Sequence, residues 1–245
     1  TLAAEHKTGT CGPVLITRPE PSASVTAAKL AALGFSPVLM PLSRTVALEF
    51  SAANQSFDAL AVTSANAFRH VQDDFLQLYK SLPLFAVGEG TARAARAAGF
   101  DQVIEGGGDA VRLAACMAEH LPKGARVFYL AGRIRQSIFE ERVLQAGLKM
   151  QVCDVYDVEQ IGYSDDEIRA LLPKSPFVAV LLYSGVAAQY LARMMPQIEA
   201  AFGSDTQFLC ISGRVAEQLP EKWKTQKRIA DHPDEKGIFR LVSKL

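Results

Sequence analysis

The sequence lacks the residue clusters that build metal sites or disulfide scaffolds. Its four cysteines (Cys11, Cys116, Cys153, Cys210) stand far apart, with no Cys-x-x-Cys, and its four histidines (His6, His70, His120, His232) are scattered singly, with no His-Glu-x-x-His. That argues against structural zinc and for buried, reduced thiols in a cytoplasmic protein. Long apolar runs are missing too. None approaches the roughly 18 residues of a membrane span, so no membrane contact is expected. Residues 1–12 are polar and carry no apolar core of a secretory signal, so residues 1–11 read as an N-terminal extension. Charge of either sign is not in excess: 26 Lys and Arg balance 26 Asp and Glu. This removes the field that a non-specific nucleic-acid binder needs, so no nucleic-acid partner is expected. It leaves room for a local basic site that takes a small polyanion.

Several catalytic signatures are absent or incomplete. Gly88-x-Gly90 is followed by Arg93 rather than a third glycine, Gly106–Gly108 lacks the Gly-Lys-Ser/Thr ending of a P-loop, and there is no Gly-x-Ser-x-Gly. Asp58 begins its apolar run rather than ending it, which argues against a receiver-type phosphoacceptor. Asp73-Asp74, Glu140-Glu141 and Asp165-Asp166-Glu167 read as solvated helix faces or first-turn charges. Nothing calls for a nucleotide, a metal or a flavin, so no cofactor is expected.

What is present is a regular alternation. At 49% apolar, 245 residues are enough to bury one large core or two ordinary ones. Short β-branched or apolar runs predict strands at 14–17, 37–40, 59–63, 84–87, 102–105, 126–130, 149–156, 177–182, 208–211 and 227–230. Helical patterns fall at 22–33, 65–79, 91–98, 110–120, 136–146 and 186–195, and Gly34, Gly99 and Gly147 mark helix ends. Strands apolar on both faces, separated by helices, indicate parallel sheets covered on two sides.

The pattern repeats. FDALAVTSANAFRHV from Phe57 resembles FVAVLLYSGVAAQYL from Phe177, with Ser64 and Ser184 120 residues apart. FAVGEGTARAA parallels LCISGRVAEQL, and VLITRPEPSASVTAAKLAALGFSPVLMPL pairs with VFYLAGRIRQSIFEERVLQAGLKMQVCDVY. The order is A-B-A-B, with two βα units in A and about three in B, so two five-stranded doubly wound α/β domains follow. Segments 42–48 and 157–163 lack helical pattern. If they cross between domains, the middle block is one domain and the two ends form the other; if the crossing lies near 122–125, the domains are in tandem. The pattern leaves both open.

In doubly wound sheets, ligands sit beyond the carboxyl ends of the strands, where helices begin and free N–H groups bind anions. The residues at those places are Arg18; Ser64 and Asn66; Gly88 and Thr91; Gly106–Asp109; Gly132, Arg133 and Arg135; Ser184 and Gly185; Ser212 and Arg214; and His232. Each serine alone fits ordinary helix capping. Their recurrence at equivalent places in both halves, with four arginines, fits several carboxylates held by amides and guanidinium groups. Tyr156 ends the strand of the second A block. By position it reads as a half-buried aromatic, and a phenol at a site edge can also donate a proton to a leaving hydroxyl.

These residues together resemble the uroporphyrinogen-III synthase family. The matching stretches are VLITRPEPSA, AVTSANAF, FAVGEGTARAARAAGF, YLAGRIRQSIFEERVLQAGL followed by VCDVYDV, LLYSGVAA and CISGRVAEQLP, over nearly all of 14–245. The resemblance implies two flavodoxin-like α/β domains joined by a two-stranded linker. One domain is discontinuous (12–42 with 163–245), the other spans 47–157, and the linkers are 43–46 and 158–162. It implies an enzyme of haem biosynthesis that needs no cofactor; a monomer is expected because the helical patterns show no long apolar stripe left over after packing on the sheets. Hydroxymethylbilane, a linear tetrapyrrole with eight carboxylates, would lose water in the interdomain cleft, invert its last pyrrole ring and close to uroporphyrinogen III. It implies Tyr156 as the residue assisting departure of the hydroxyl. Arg18, Ser64, Asn66, Gly88, Thr91, Arg133, Arg135, Ser184, Gly185, Ser212 and Arg214 would then bind substrate. Arg214-Val215 stands where many members have paired threonines, and its guanidinium can pair with a propionate directly. A transient contact with the preceding pathway enzyme is also expected. The other readings are a two-domain module that binds or senses a small anion without chemistry, and a nucleotide-dependent transferase, against which the incomplete glycine motifs count.

Overall fold

The computed structural model describes residues 11–51 and 55–245. The extension read at residues 1–11 lies outside the described residues except for Cys11, whose amide donates to the Gly34 carbonyl. The chain runs β1 (Pro13–Ile16), α1 (Ser22–Ala32), β2 (Ser36–Leu39), β3 (Ser43–Ala47), β4 (Ala59–Val62), α2 (Asn66–His70) and α3 (Asp73–Gln77). It continues as β5 (Leu84–Ala86), α4 (Glu89–Ala97), β6 (Val103–Glu105), α5 (Ala110–His120), β7 (Arg126–Gly132), α6 (Ile138–Gln145) and β8 (Lys149–Gln160). Next are α7 (Asp165–Leu171), β9 (Phe177–Leu182), α8 (Gly185–Arg193), α9 (Met195–Ile198), β10 (Phe202–Cys210), α10 (Gly213–Glu217), β11 (Lys227–Ile229) and α11 (Glu235–Val242).

The chain divides into two compact units. One holds Gln160–Leu245 and the described chain up to Arg44; the other is Thr45–Glu159. The first contains a five-stranded sheet of order β11-β10-β9-β1-β2, parallel throughout. The second sheet has six strands in the order β3-β8-β7-β4-β5-β6, and β8-β7-β4-β5-β6 is parallel. If each unit is read A block first, the two parallel sheets have the same order. The second unit is a circular permutation of the first, with its B block (β4, β5, β6) ahead of its A block (β7, β8). The repeat in the sequence is the trace of this.

The strands are apolar on both faces because each feeds two helical layers. Leu15 packs with Val180, Leu182 and Phe208, while Val14 and Ile16 face Leu30, Ile238 and Val242. In the second unit Leu60 and Val62 join Phe128 on one side, and Ala59 and Ala61 join Phe85 and Val127 on the other. Gly34 closes α1 at φ +87° and Gly147 closes α6 at φ +80°, left-handed conformations that a side chain would oppose.

The ten expected strands are present, and several details differ. The expected two-stranded linker is present and is itself part of a sheet: segment 42–48 forms β3, which runs antiparallel to the end of β8, with Leu48 donating to Val155 and Ile161 to Leu42. This ladder takes the second sheet to six strands instead of five, and extends β8 to Gln160. The helix read at 65–79 breaks into α2 and α3 because Val71 is extended (φ −108°, ψ 130°) and buried. The helix read at 186–195 stops at Arg193, and Pro196 sits in the short α9 that follows. The strand read at 208–211 starts six residues earlier, at Phe202. The acidic run at 165–167 is the first turn of α7, where Ser164 and Glu167 form a capping box. The buried-thiol expectation holds for Cys153 and Cys210, whose pKa values burial pushes up to about 11 and about 12. Cys116 is half-buried and Cys11 exposed, and among the described residues no disulfide joins any of the four.

Phe128 is fully buried and stacks on Phe57 at 4.5 Å between ring centres, with Tyr79 at 5.1 Å and Phe75 at 6.2 Å. Phe128→Ala is expected to cost about 3–5 kcal/mol in a denaturant titration; a loss below about 1 kcal/mol would contradict this account of the core.

Candidate active site

In each parallel sheet the strand order reverses at one place, and the crevice beyond the strand ends at that place is where ligands bind in such folds. In the first unit the reversal lies between β1 and β9, which deliver Arg18 and Tyr183-Ser184. In the second it lies between β4 and β7, which deliver Thr63-Ser64 and Gly132-Arg133. Most of the residues selected from the sequence therefore occupy the two reversal points or the next strand along.

The second unit holds the denser cluster. The β7–β8 register runs one to one from Arg126↔Lys149 to Ala131↔Asp154 and then skips Val155, so that Gly132 stands opposite Tyr156. This bulge re-aims the side chain. Strict alternation would send Tyr156 to the side opposite Cys153 and Val155, yet all three pack in the same cluster. Gly132 lets the phenol lie directly on the backbone. A Cβ there would sit 2.6–2.8 Å from Tyr156 Cζ, Cε2 and the hydroxyl oxygen. Tyr156 keeps 8% exposure, and its carbonyl accepts from Arg133 N–H at 2.9 Å.

Around Tyr156 stand residues that the sequence pattern does not single out. Tyr129 Oη and Thr63 Oγ1 share a hydrogen bond of 2.6 Å. Burial raises the Tyr129 pKa; the Thr63 bond and Arg135 oppose that rise, and Tyr156 adds to it. His70, the last residue of α2, lies 5.8 Å from the Tyr156 ring centre, and its Nε2 hydrogen-bonds Thr45 Oγ1 at 2.8 Å. Burial, then the charge of Arg69, lowers the His70 pKa, so its ring is neutral at pH 7. The one sequence signal for any of these is that Thr63 closes the apolar run before Ser64.

The four arginines separate by partner. Arg135 is bound inside its own turn: Nε donates to Glu140 at 2.6 Å, and Nη1 to Asp154 at 2.6 Å and to the Gly132 carbonyl at 2.9 Å. Burial works against its charge, but Glu140 and Asp154 outweigh burial and raise its pKa. Arg18 is also engaged. It lies 4.0 Å over the Tyr183 ring and donates to Thr26 and to Glu235, which also pairs with Lys29. Among the described residues the Tyr183 hydroxyl beside it is buried with no hydrogen-bond partner of ordinary geometry, and burial pushes its pKa up to about 12. Arg133 is 57% exposed and makes a single contact to Asp157 at 3.1 Å, the kind of pair worth roughly 0–1 kcal/mol. Arg214 is exposed on α10, and among the described residues its guanidinium has no ion-pair partner.

The hydroxyl residues are mixed. Ser184 is committed to capping α8 through Ala187 N–H, with Gly185 as the first helical residue. Ser64 accepts from Asn66 N–H, and Asn66 Oδ1 accepts from Arg69. Ser212 precedes α10 without a side-chain capping bond. Thr91 is buried in the first turn of α4, and Gly88 lets that turn approach Gly108, whose Cα would be 3.3 Å from a Cβ. Among the described residues no group of three or more His, Cys, Asp or Glu could hold a metal ion.

Gly132→Ala is expected to destabilise the protein by about 1–3 kcal/mol, because the strand or the phenol must shift. Gly162→Ala, with open space around its Cβ, serves as the control and should leave the urea midpoint unchanged or slightly raised. Equal midpoints for the two variants would contradict the packing described.

The comparisons with known proteins bear on the family and the fold. The family model described as uroporphyrinogen-III synthase HemD matches residues 24–240. The crystal structure of uroporphyrinogen-III synthetase from Helicobacter pylori is 18% identical and superposes with a TM-score of 0.66, covering 95% of this chain and 98% of that one. A mutant uroporphyrinogen III synthase from Thermus thermophilus is 16% identical with a TM-score of 0.53, covering 95% and 97%. At these identities the structures speak for the fold. None of the curated proteins matches the chain.

Proposed function

The chain belongs to the uroporphyrinogen-III synthase family, and we propose which of its side chains carry that family's reaction. The reaction cyclises hydroxymethylbilane to uroporphyrinogen III, with loss of water and inversion of the last pyrrole ring. In our reading Tyr156 is the proton donor. The observation that carries it is the seating of its phenol on Gly132, at the carboxyl end of β7, by a bulge in β8 that turns it out of the ordinary alternation.

The chemistry asks little else of the protein. The electron-rich pyrrole pushes out the hydroxyl of the terminal hydroxymethyl group. That C–O bond breaks, the phenol proton goes to the departing oxygen, and water leaves a cationic azafulvene. The substituted α-carbon of the last ring attacks that cation to give a spiro intermediate. Its bond to the old bridge carbon then breaks, leaving a second azafulvene cation. The ring's free α-carbon attacks this second cation, and the proton that carbon loses closes the macrocycle and restores the phenol. The catalyst must fold the chain and time one proton transfer.

Eight carboxylates must be met by donors. Arg214 and Arg133 are the arginines we assign to them, because neither has to break a buried network to engage a propionate. Ser212, the amides around Gly88 and Thr91, and those around Ser64 and Asn66 add neutral donors at the strand ends. Arg135 and Arg18 support these loops from within, and Ser184 with Gly185 presents the start of α8. We further place the enzyme in the cytoplasm, in keeping with the buried thiols of Cys153 and Cys210. We also propose a transient contact with the enzyme that releases hydroxymethylbilane, because the free substrate closes spontaneously to the symmetric type I isomer. No nucleic-acid partner is proposed, since the charges balance.

Supplied with porphobilinogen and the preceding enzyme, the purified protein should yield the type III isomer; type I alone would contradict the assignment. Tyr156→Phe should lower kcat by about 10²-fold or more with KM little changed. Arg214→Ala and Arg133→Ala should act mainly on KM, raising it roughly tenfold each, as the removal of one charge-assisted hydrogen bond predicts. If Tyr156→Phe keeps full kcat, the proton comes from elsewhere.

A further inference from the structure

We propose that His70 is the positioning residue of Tyr156: tied to Thr45, its imidazole packs on the phenol and keeps it on the Gly132 seat in one orientation. This rests on the reading of Tyr156 as proton donor.

The contacts form a short chain across three elements. Thr45 lies on β3, the edge strand paired with β8, and Tyr156 lies on β8 itself. The His70 imidazole meets both: Nε2 bonds Thr45 Oγ1 at 2.8 Å, and the ring lies 5.8 Å from the Tyr156 ring at an interplanar angle of 30°. The place of His70 is itself fixed. It ends α2, and the next residue, Val71, is extended and buried, so the backbone cannot carry the imidazole away by lengthening the helix.

The need for such a support is visible beside it. His70 borders an open hollow of about 460 Å³, lined also by Leu48, Phe50, Gln72 and Phe75. Gly132 supports the phenol by contact alone and offers no side chain to hold it laterally. Without the imidazole, the ring gains room to swing toward that hollow. A general acid displaced by about 1 Å can lose on the order of 10²-fold in rate. An imidazole tethered by a hydrogen bond is a stiffer neighbour than an aliphatic side chain of equal volume. His70 touches no reacting atom in this reading; it acts only through Tyr156.

The test combines a spectroscopic and a kinetic readout on the full chain. With ring-labelled tyrosine, the Tyr156 resonance is assigned by its loss in Tyr156→Phe. His70→Ala and Thr45→Val should both displace it, as the imidazole's ring current is removed or moved. In turnover assays His70→Ala should lower kcat about tenfold or more with KM within about twofold, and Thr45→Val should show a smaller loss of the same kind. In the Tyr156→Phe background neither substitution should lower kcat further. An unmoved Tyr156 resonance, or a His70→Ala loss that recurs in the Tyr156→Phe background, would overturn the inference while leaving Tyr156 as donor. Full activity of Tyr156→Phe would instead remove the donor reading and this inference with it. Should His70→Ala not fold, Thr45→Val carries both readouts, because it keeps the imidazole and, by removing only its tether, lets the ring shift against the phenol.

Discussion

One extra residue in β8 decides how the second unit is used. Parallel strands send successive side chains to opposite helical layers, and β7 and β8 obey that rule up to Ala131 and Asp154. Val155 is then left without a counterpart on β7, and the phase of the strand slips by one. Before the slip, Asp154 is turned toward the α6 side, where it binds Arg135 and, through it, Glu140. After the slip, Tyr156 joins Val155 in the layer of α2 and α3 instead of following Asp154. A flat strand could not place both groups so. Gly132 completes the arrangement because its missing Cβ is the space that the phenol fills.

Charge is distributed with the same economy. The chain carries no net charge, so its attraction for a polyanion is local. Two arginines are used as internal ties: Arg135 draws the β7–α6 turn onto β8, and Arg18 joins the end of β1 to α11 through Glu235. Both are partly buried, and drawing either to a ligand would break an ion pair already formed. Arg133 and Arg214 are exposed and can exchange water, or one weak pair, for a substrate carboxylate. A binder of many carboxylates at the surface needs this kind of group, since it gains attraction without a prior desolvation penalty.

Most of the fold is legible in the sequence because the signals are periodic. The ten apolar runs form two sets of five, visible as the A-B-A-B order; which A joins which B, and with it the circular permutation, is not set by that order, because it depends on where the chain crosses between units. What escapes is set by single residues or by pairing at a distance. β3 has no apolar alternation of its own, and it is a strand because β8 is long enough to pair with it. The break between α2 and α3 follows from burying Val71. At the site, the strand ends point to Tyr156, Gly132 and the arginines, since topology places those loops. They do not point to Tyr129, Thr63, Thr45 and His70. Each of these is ordinary in its local window, and they meet only because β3, β4, β7 and β8 are neighbours and one of them bulges. Nor can composition separate the tied arginines from the free ones; Glu140, Asp154 and Glu235 make that distinction.

The account stands most directly on the claim that the Tyr156 phenol gives its proton to the departing hydroxyl. Replacing this one tyrosine by a series of fluorotyrosines changes the acidity of the phenol while hardly changing its shape. Below the pKa of each replacement, single-turnover closure to the type III isomer should quicken steadily as the phenol becomes more acidic. A rate indifferent to phenol acidity across the series, with the fold intact, would contradict it.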